Sequence, residues 1–413
     1  MDFFHENTII KSFLPVLRER WLSAAEAFPS CLTQVSREAK EKNEAYVKEI
    51  SAQFHQQITK YPRFPLGRRR WKKKTFRLLY QVLSEETILE LHRYLSHERV
   101  EVLISEIKEF IKRVRTDAPA LSFEDMGQAV RNYTVYLMFK EIHQDTSDFS
   151  RACYGYSMLY PFTDNYIDNT ACTKEEKARY NSLIRDYLKG EAAASTSEHD
   201  DKTLYFLSAA KESCKEESPC PVTELLLMML DAQEKSLEQQ SKDNSLDYEK
   251  RLFISLYKGG ISVLIDRFFV KERITEEDMI FYLGFGFFLQ LADDLQDIRE
   301  DSEKGHQTLF TINTHPAEEE KTVNKLLFFV TDLCNSFPTD NKSFLEFVLM
   351  NCYQLILMGV QGSREYFSKE YVTHMEQCFP VTFSFLETMP ENPFQNSNIE
   401  EGRFFRIMDT LVL

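Results

Sequence analysis

Between Gln290 and Asp301 the chain reads QLADDLQDIRED, and its carboxylates recur at the spacing of an α-helix. Asp293, Asp297 and Asp301 stand four residues apart, with Asp294 beside the first. A step of four keeps side chains on one helical face, drifting by about 40° each time. Like charges at that spacing repel, so the stripe calls for something to neutralise it. A hard divalent cation does so, and magnesium is held by one or two carboxylates plus substrate phosphates.

Traced back from Asp301, the same face carries Gln290, then Gly286, then Tyr282 or Leu283. Glycine inside a helix costs roughly 1 kcal/mol relative to alanine, so Gly284 and Gly286 need a reason. Two reasons are open: close helix–helix packing, or space for an apolar ligand under a polar, metal-lined mouth. A second pair, Asp164 and Asp168 in DNYIDN, has the same spacing on another predicted helix. Tyr160, Ser157 and Cys153 lie upstream on that face as candidate pocket wall, and Pro161 is expected to kink the helix. Alone, such a pair reads as surface charge. Two registered clusters in one helical chain read as a site.

Facing acidic helices in a bundle commonly hold di-iron or grip a diphosphate through magnesium. The first needs Glu-x-x-His motifs on paired helices, and none lies near either cluster. The second uses metal to stabilise charge on departing oxygens, with lysine or arginine as point charges. Lys258, in YKGG ahead of the stripe helix, suits that role; a surface lysine at a packing kink is the plainer reading.

The surrounding sequence agrees with a helical protein. Twelve glycines and 13 prolines in 413 residues are few for an all-β protein with many tight turns. A net charge of −15 argues against a broad basic nucleic-acid face. The eight cysteines form no C-x-x-C pair and read as buried thiols of a cytoplasmic protein. No signal peptide is expected, and the longest apolar run, Ile280 to Leu289, is too short to span a bilayer. Helical periodicity dominates. Arg63–Lys74, RFPLGRRRWKKK, is the one concentrated basic run, read as a solvated helix start or as a contact for diphosphate or acidic lipid. Residues 189–202 are small, polar and of low complexity, and are expected to form a mobile loop. The expected organisation is an N-terminal helical region (1–120), a catalytic bundle (121–390) and a C-terminal tail (391–413).

Asp164 with Asp168, Lys258 and the segment Gln290–Asp301 resemble the class I isoprenoid synthases: prenyl diphosphate synthases, squalene/phytoene synthases and class I terpene synthases. QLADDLQDIRED is similar to the second aspartate-rich motif of the first two groups, and its i, i+4, i+8 register matches the metal-binding triad of the third. KGHQTLF, Lys304 to Phe310, is similar to the stretch that follows that motif in prenyl synthases, with His306 in place of lysine. The resemblance covers about 155–310 and rests on helical pattern alone elsewhere. It implies an all-α fold, a single large helical bundle around a central active-site cavity. It also implies three Mg2+ ions held by Asp164, Asp168, Asp293, Asp297 and Asp301. A prenyl diphosphate would lie on Lys258, Arg299, Lys304, Arg364 and Tyr366, with its carbocation in an aromatic, water-poor pocket.

The departures narrow the subclass. No Arg-Arg-Gly follows Asp168, and no N-terminal Gly-Gly-Lys-Arg site is present, against simple chain elongation. Squalene/phytoene-type enzymes carry Asn and Arg where this chain has Asp293 and Gln296. Arg364 and Tyr366 echo the Arg-Tyr pair of terpene synthases. The resemblance therefore points toward a terpene synthase-like lyase near the bacterial large terpene synthases. Coupling of two prenyl diphosphates and a non-catalytic protein of the same fold are the alternatives. A homodimer and peripheral contact with a membrane are compatible with it; a nucleic-acid partner is not expected.

Overall fold

A computed structural model of the chain describes residues 7–169, 171–213, 221–240, 245–271, 273–312, 315–389 and 401–412, with the side chains of residues 7–9, 168, 213 and 401 outside that description. The described residues form 17 α-helices, joined by loops and short 3-10 turns, with no strand. The all-α expectation is met. The chain divides into two compact units, one of residues 1–29 with 124–368, the other of 30–123 with 369–413.

In chain order, α1 (Asn7–Leu22) belongs to the first unit, and α2 (Arg37–Thr59), α3 (Pro65–Glu85) and α4 (His97–Asp117) to the second. The chain then returns to the first unit with α5 (Phe123–Ile142), α6 (Arg151–Asp168), α7 (Lys174–Lys189), α8 (Glu198–Ala210) and α9 (Pro221–Ser236). It continues there with α10 (Tyr248–Val270), α11 (Glu276–Gln296), α12 (Ile298–Lys304), α13 (Pro316–Ser336) and α14 (Lys342–Gly362). Finally α15 (Lys369–Gln377), α16 (Phe383–Thr388) and α17 (Glu401–Val412) complete the second unit.

The stretches expected from sequence follow one another along the chain, whereas each of these units joins two separate stretches. Residues 7–29 pack with the bundle because α1 buries Leu14, Leu17 and Trp21. Trp21 meets Phe287 and Phe329 edge-on, at centroid distances of 5.3 and 5.9 Å, and its indole N–H donates to the Tyr248 hydroxyl at 2.8 Å. Residues 369–389 and 401–412 belong instead to the unit of α2–α4, through contacts such as Arg115–Asp409 at 3.0 Å and the Val35 N–H to Gln377 carbonyl bond at 2.8 Å.

At the centre of the first unit α10 lies against α11. A Cβ on Gly286 would sit 2.0 Å from the Gly259 carbonyl oxygen, and one on Gly259 would sit 2.4 Å from that of Gly286. These glycines let two backbones touch. Gly284 likewise admits the Leu333 and Leu17 side chains. Of the two roles open for Gly284 and Gly286, the structure shows packing; the expected space beneath the stripe is filled by α10.

The Thr275–Asp278 capping box that opens α11 is present. The polar stretch 189–202 is better fastened than its composition suggests. Buried Asp200 accepts from both guanidinium nitrogens of Arg179 at 3.0 and 3.1 Å, and from the Thr196 N–H and hydroxyl at 2.9 Å each. Burial pushes this carboxyl up, but those donors outweigh it and hold it at about 2. One helix among the described residues, α14, is long and apolar enough to cross a membrane; half of its apolar window is buried in the protein.

Candidate active site

The stripe folds as two helices that nearly continue each other. α11 ends at Gln296, Asp297 takes a non-helical φ of −98° and ψ of 8°, and α12 begins at Ile298. The i to i−4 bonds nevertheless persist, from the Asp297 N–H to Asp293 at 3.0 Å and from the Asp301 N–H to Asp297 at 2.8 Å. Asp293, Asp297 and Asp301 thus remain in succession around a slight break. Gly305, at φ 74°, closes α12 in the left-handed conformation that glycine adopts without strain.

Their electrostatics differ. Asp293 reaches solvent but is crowded by protein, which pushes its carboxyl up; Lys258 pulls it down, Asp301 pushes it up and Arg131 pulls it down. Asp297 is pushed up to about 6 by burial first, then by the charges of Asp293, Asp301 and Glu300. Asp301 meets the His306 Nδ1 at 3.1 Å. Asp294 points inward. Gln290 donates to its Oδ1 at 2.9 Å, its Oδ2 is buried without a partner, and burial drives it well above the usual carboxylate range. It reads as a neutral carboxylic acid behind the charged row.

Lys258 and Arg131 pull on Asp293, and Lys304 pulls on Asp297. Lys258, half-buried on α10, was expected from sequence; exposed Arg131 on α5 was not. No local signal marks Arg131, because it reaches Asp293 only through the packing of helices 162 residues apart in sequence (293 − 131). The other expected cations are engaged differently. Arg299 holds Glu365 through its Nε at 2.6 Å, and Lys304 holds Glu300. Arg364, Glu365 and Tyr366 form a 3-10 turn after α14, and the Glu365 carboxylate bonded to Arg299 raises the basicity of that guanidinium. The Arg364–Tyr366 turn therefore meets α12, with Glu365 taking the guanidinium.

The other acidic pair sits on α6, which runs unbroken through Pro161. Asp164 accepts from the Thr163 hydroxyl at 3.2 Å and from Gln233 of α9. Asp168 is the last residue of α6, and its side chain lies outside the described residues. Asp164 borders a cavity of about 40 Å3, lined by Tyr156, Leu159, Tyr160, Leu226 and Gln233 among others. That volume admits a few water molecules. Tyr160 is thus a wall residue, whereas Ser157 faces away from it: Asn132 donates to Ser157 at 3.0 Å and to Asp266 at 3.2 Å. Asp266 is a further buried carboxyl with an orphaned Oδ2, pushed well up by burial. Sequence reading missed it because it stands alone in an apolar helix.

Among the described residues, no three His, Cys, Asp or Glu side chains gather closely enough to cage a metal by themselves. The donors at the stripe are hard carboxylate oxygens that crowd one another, which suits magnesium completed by substrate phosphates and does not suit a closed all-protein site. No protein-family model, curated protein or solved structure matches the chain.

Proposed function

We propose that the first unit is an enzyme similar to the class I isoprenoid synthases that ionises a prenyl diphosphate. The observation that carries this reading is the row Asp293–Asp297–Asp301, kept in register across the α11–α12 break and addressed at one end by Lys258 and Arg131. Asp293, Asp297 and Asp301, with Asp164 and Asp168 as the second set, would hold Mg2+ together with the diphosphate. Bound there, the metal would draw charge from the departing phosphate oxygens. Lys258 and Arg131 supply N–H donors to the same oxygens. As the C–O bond breaks, the electron pair leaves with diphosphate and an allylic cation remains. Tyr156 and Tyr160 offer aromatic faces to that cation beside Asp164. Loss of a proton, directly or after ring closure, gives the neutral product and completes a lyase reaction. The cavity is too small for a prenyl chain as it stands, so Leu159, Leu226 or their neighbours must move for a substrate to enter.

Incubation with C10 to C35 prenyl diphosphates and Mg2+ tests this by release of inorganic diphosphate. Turnover with a single substrate supports cyclisation or elimination. Product mass that requires two substrates identifies a coupling enzyme instead. A second reading, a non-catalytic helical protein that binds the diphosphate, is favoured by the touching glycines and the small cavity. Its signature is tight binding of a prenyl diphosphate with Mg2+ and recovery of the intact ligand.

A further inference from the structure

The basic run Arg63–Lys74 contains seven cations and no acidic residue, in a chain whose net charge is −15. It opens α3, with Phe64 at the N-cap and Pro65 as the first helical residue. Phe64 is 77% exposed and Leu66 is 98% exposed, two large apolar side chains projecting at the helix start. Next to them a groove of about 470 Å3 is lined by Arg68, Arg69 and Lys72 of α3 and by Arg406, Asp409 and Thr410 of α17. Every one of these residues belongs to the second unit.

The groove is built rather than incidental. The Tyr61 hydroxyl ties α17 in place through Thr410 at 2.7 Å and the Arg406 carbonyl at 3.1 Å. Arg68 lies 5.5 Å over the Tyr61 ring, and its buried Nε has no hydrogen-bond partner. The single acid of the groove, Asp409, is bonded by Arg115 at 3.0 Å, which leaves the lining cations in excess. Burial and the neighbouring charge of Lys108 lower the basicity of Lys72, as expected where cations are pressed together without an anion. Leu66 and Arg69 stand three residues apart on α3, so the apolar tip and the groove share a helical face.

We propose that this face docks on an acidic phospholipid surface. Phe64 and Leu66 enter the acyl boundary, and Arg68, Arg69, Lys72 and Arg406 take a phosphorylated headgroup. Lipid is the occupant because the two signals coincide: cations alone would serve a soluble phosphate, but an exposed Phe–Leu pair gains only where water gives way to hydrocarbon. A nucleic acid would instead favour an extended basic stripe, which the overall negative charge opposes.

The test is sedimentation of the full chain with phosphatidylcholine vesicles, with and without phosphatidylinositol bisphosphate. Binding to the acidic vesicles alone, weakening with salt, is expected. Arg69→Gln/Arg406→Gln, both at exposed positions, should weaken it about 30-fold. Phe64→Ser/Leu66→Ser should weaken it about tenfold or more, with unchanged circular dichroism and melting. Equal binding to neutral vesicles, or none to either, overturns the proposal. So does full binding by Phe64→Ser/Leu66→Ser with displacement by inositol hexakisphosphate, which would mark a soluble phosphate ligand. Preference for single-stranded RNA over acidic vesicles overturns it as well.

Discussion

At the level of single residues, the carboxylate row makes opposite demands on stability and on chemistry. Asp297 holds its proton up to about pH 6 in the folded protein, against about 4 in an unfolded chain. Folding therefore takes up a proton between those values, and the contribution of Asp297 to stability falls as pH rises from about 4 to 6. Above that window the full repulsion with Asp293, Asp301 and Glu300 is present. Asp297→Asn should flatten this dependence and melt higher than the wild type at pH 7.5, by a few degrees; identical pH slopes would sink the assignment. Mg2+ with diphosphate should raise the wild-type midpoint at pH 7.5 and do so less in the variant. The proposed chemistry requires these same residues. Asp293→Asn should lower diphosphate release by at least about 100-fold while circular dichroism stays unchanged; wild-type turnover would remove Asp293 from the site. The spacing of these aspartates was legible in the sequence because an i, i+4 pattern is local. Their charge partners were legible only in part: Lys258 lies in a local motif with two glycines, whereas Arg131 and His306 acquire meaning from packing and from the turn at Gly305.

Helices carry the next level of the argument, and the glycines divide them into two kinds. Gly286 on α11 and Gly155 on α6 sit where another helix backbone touches: a Cβ on Gly155 would lie 2.7 Å from the Ala210 amide nitrogen and the Phe206 carbonyl oxygen. Gly286→Ala should force α10 and α11 apart and cost about 1–3 kcal/mol or more in urea denaturation. Gly127, inside α5, would meet nothing within 4 Å. Gly127→Ala should stabilise by about 0.5–1 kcal/mol, because only the backbone entropy of glycine is removed. Opposite signs from one substitution type test the packing directly, and destabilisation by both would contradict it. From sequence, both kinds look alike: a glycine in an apolar helical run. Helix existence and most boundaries follow from local periodicity and caps such as Thr275–Asp278, but the identity of the neighbour against which a glycine packs is a long-range fact. The same limit explains residues 189–202, whose small polar residues suggest looseness until Arg179 is seen to hold Asp200.

Over the whole molecule, the chain crosses between its two units twice, near 29 and 124, before a last crossing at 368. Local composition does not mark these crossings, because what joins the separate stretches of each unit is long-range packing. The two tryptophans happen to report on one unit each: Trp21 lies in the core of the first, and Trp71, buried on α3, donates its indole N–H to the Gln57 carbonyl in the second. α17 packs on α4 and α3, burying its Phe404, Ile407 and Val412, and is bonded to α4 by Arg115–Asp409 and to the α2–α3 loop by Tyr61–Thr410. Removing residues 390–413 therefore strips apolar cover from the second unit and leaves the contacts of Trp21 untouched. In single-tryptophan variants, the truncation should lower the urea midpoint seen by Trp71, by several kcal/mol of stability at about 1.5–3 kcal/mol per large side chain uncovered. The midpoint seen by Trp21 should hold. A common shift of both would mean that the units unfold as one cooperative body, and α17 would then act on the stability of the carboxylate row as well as on its own unit.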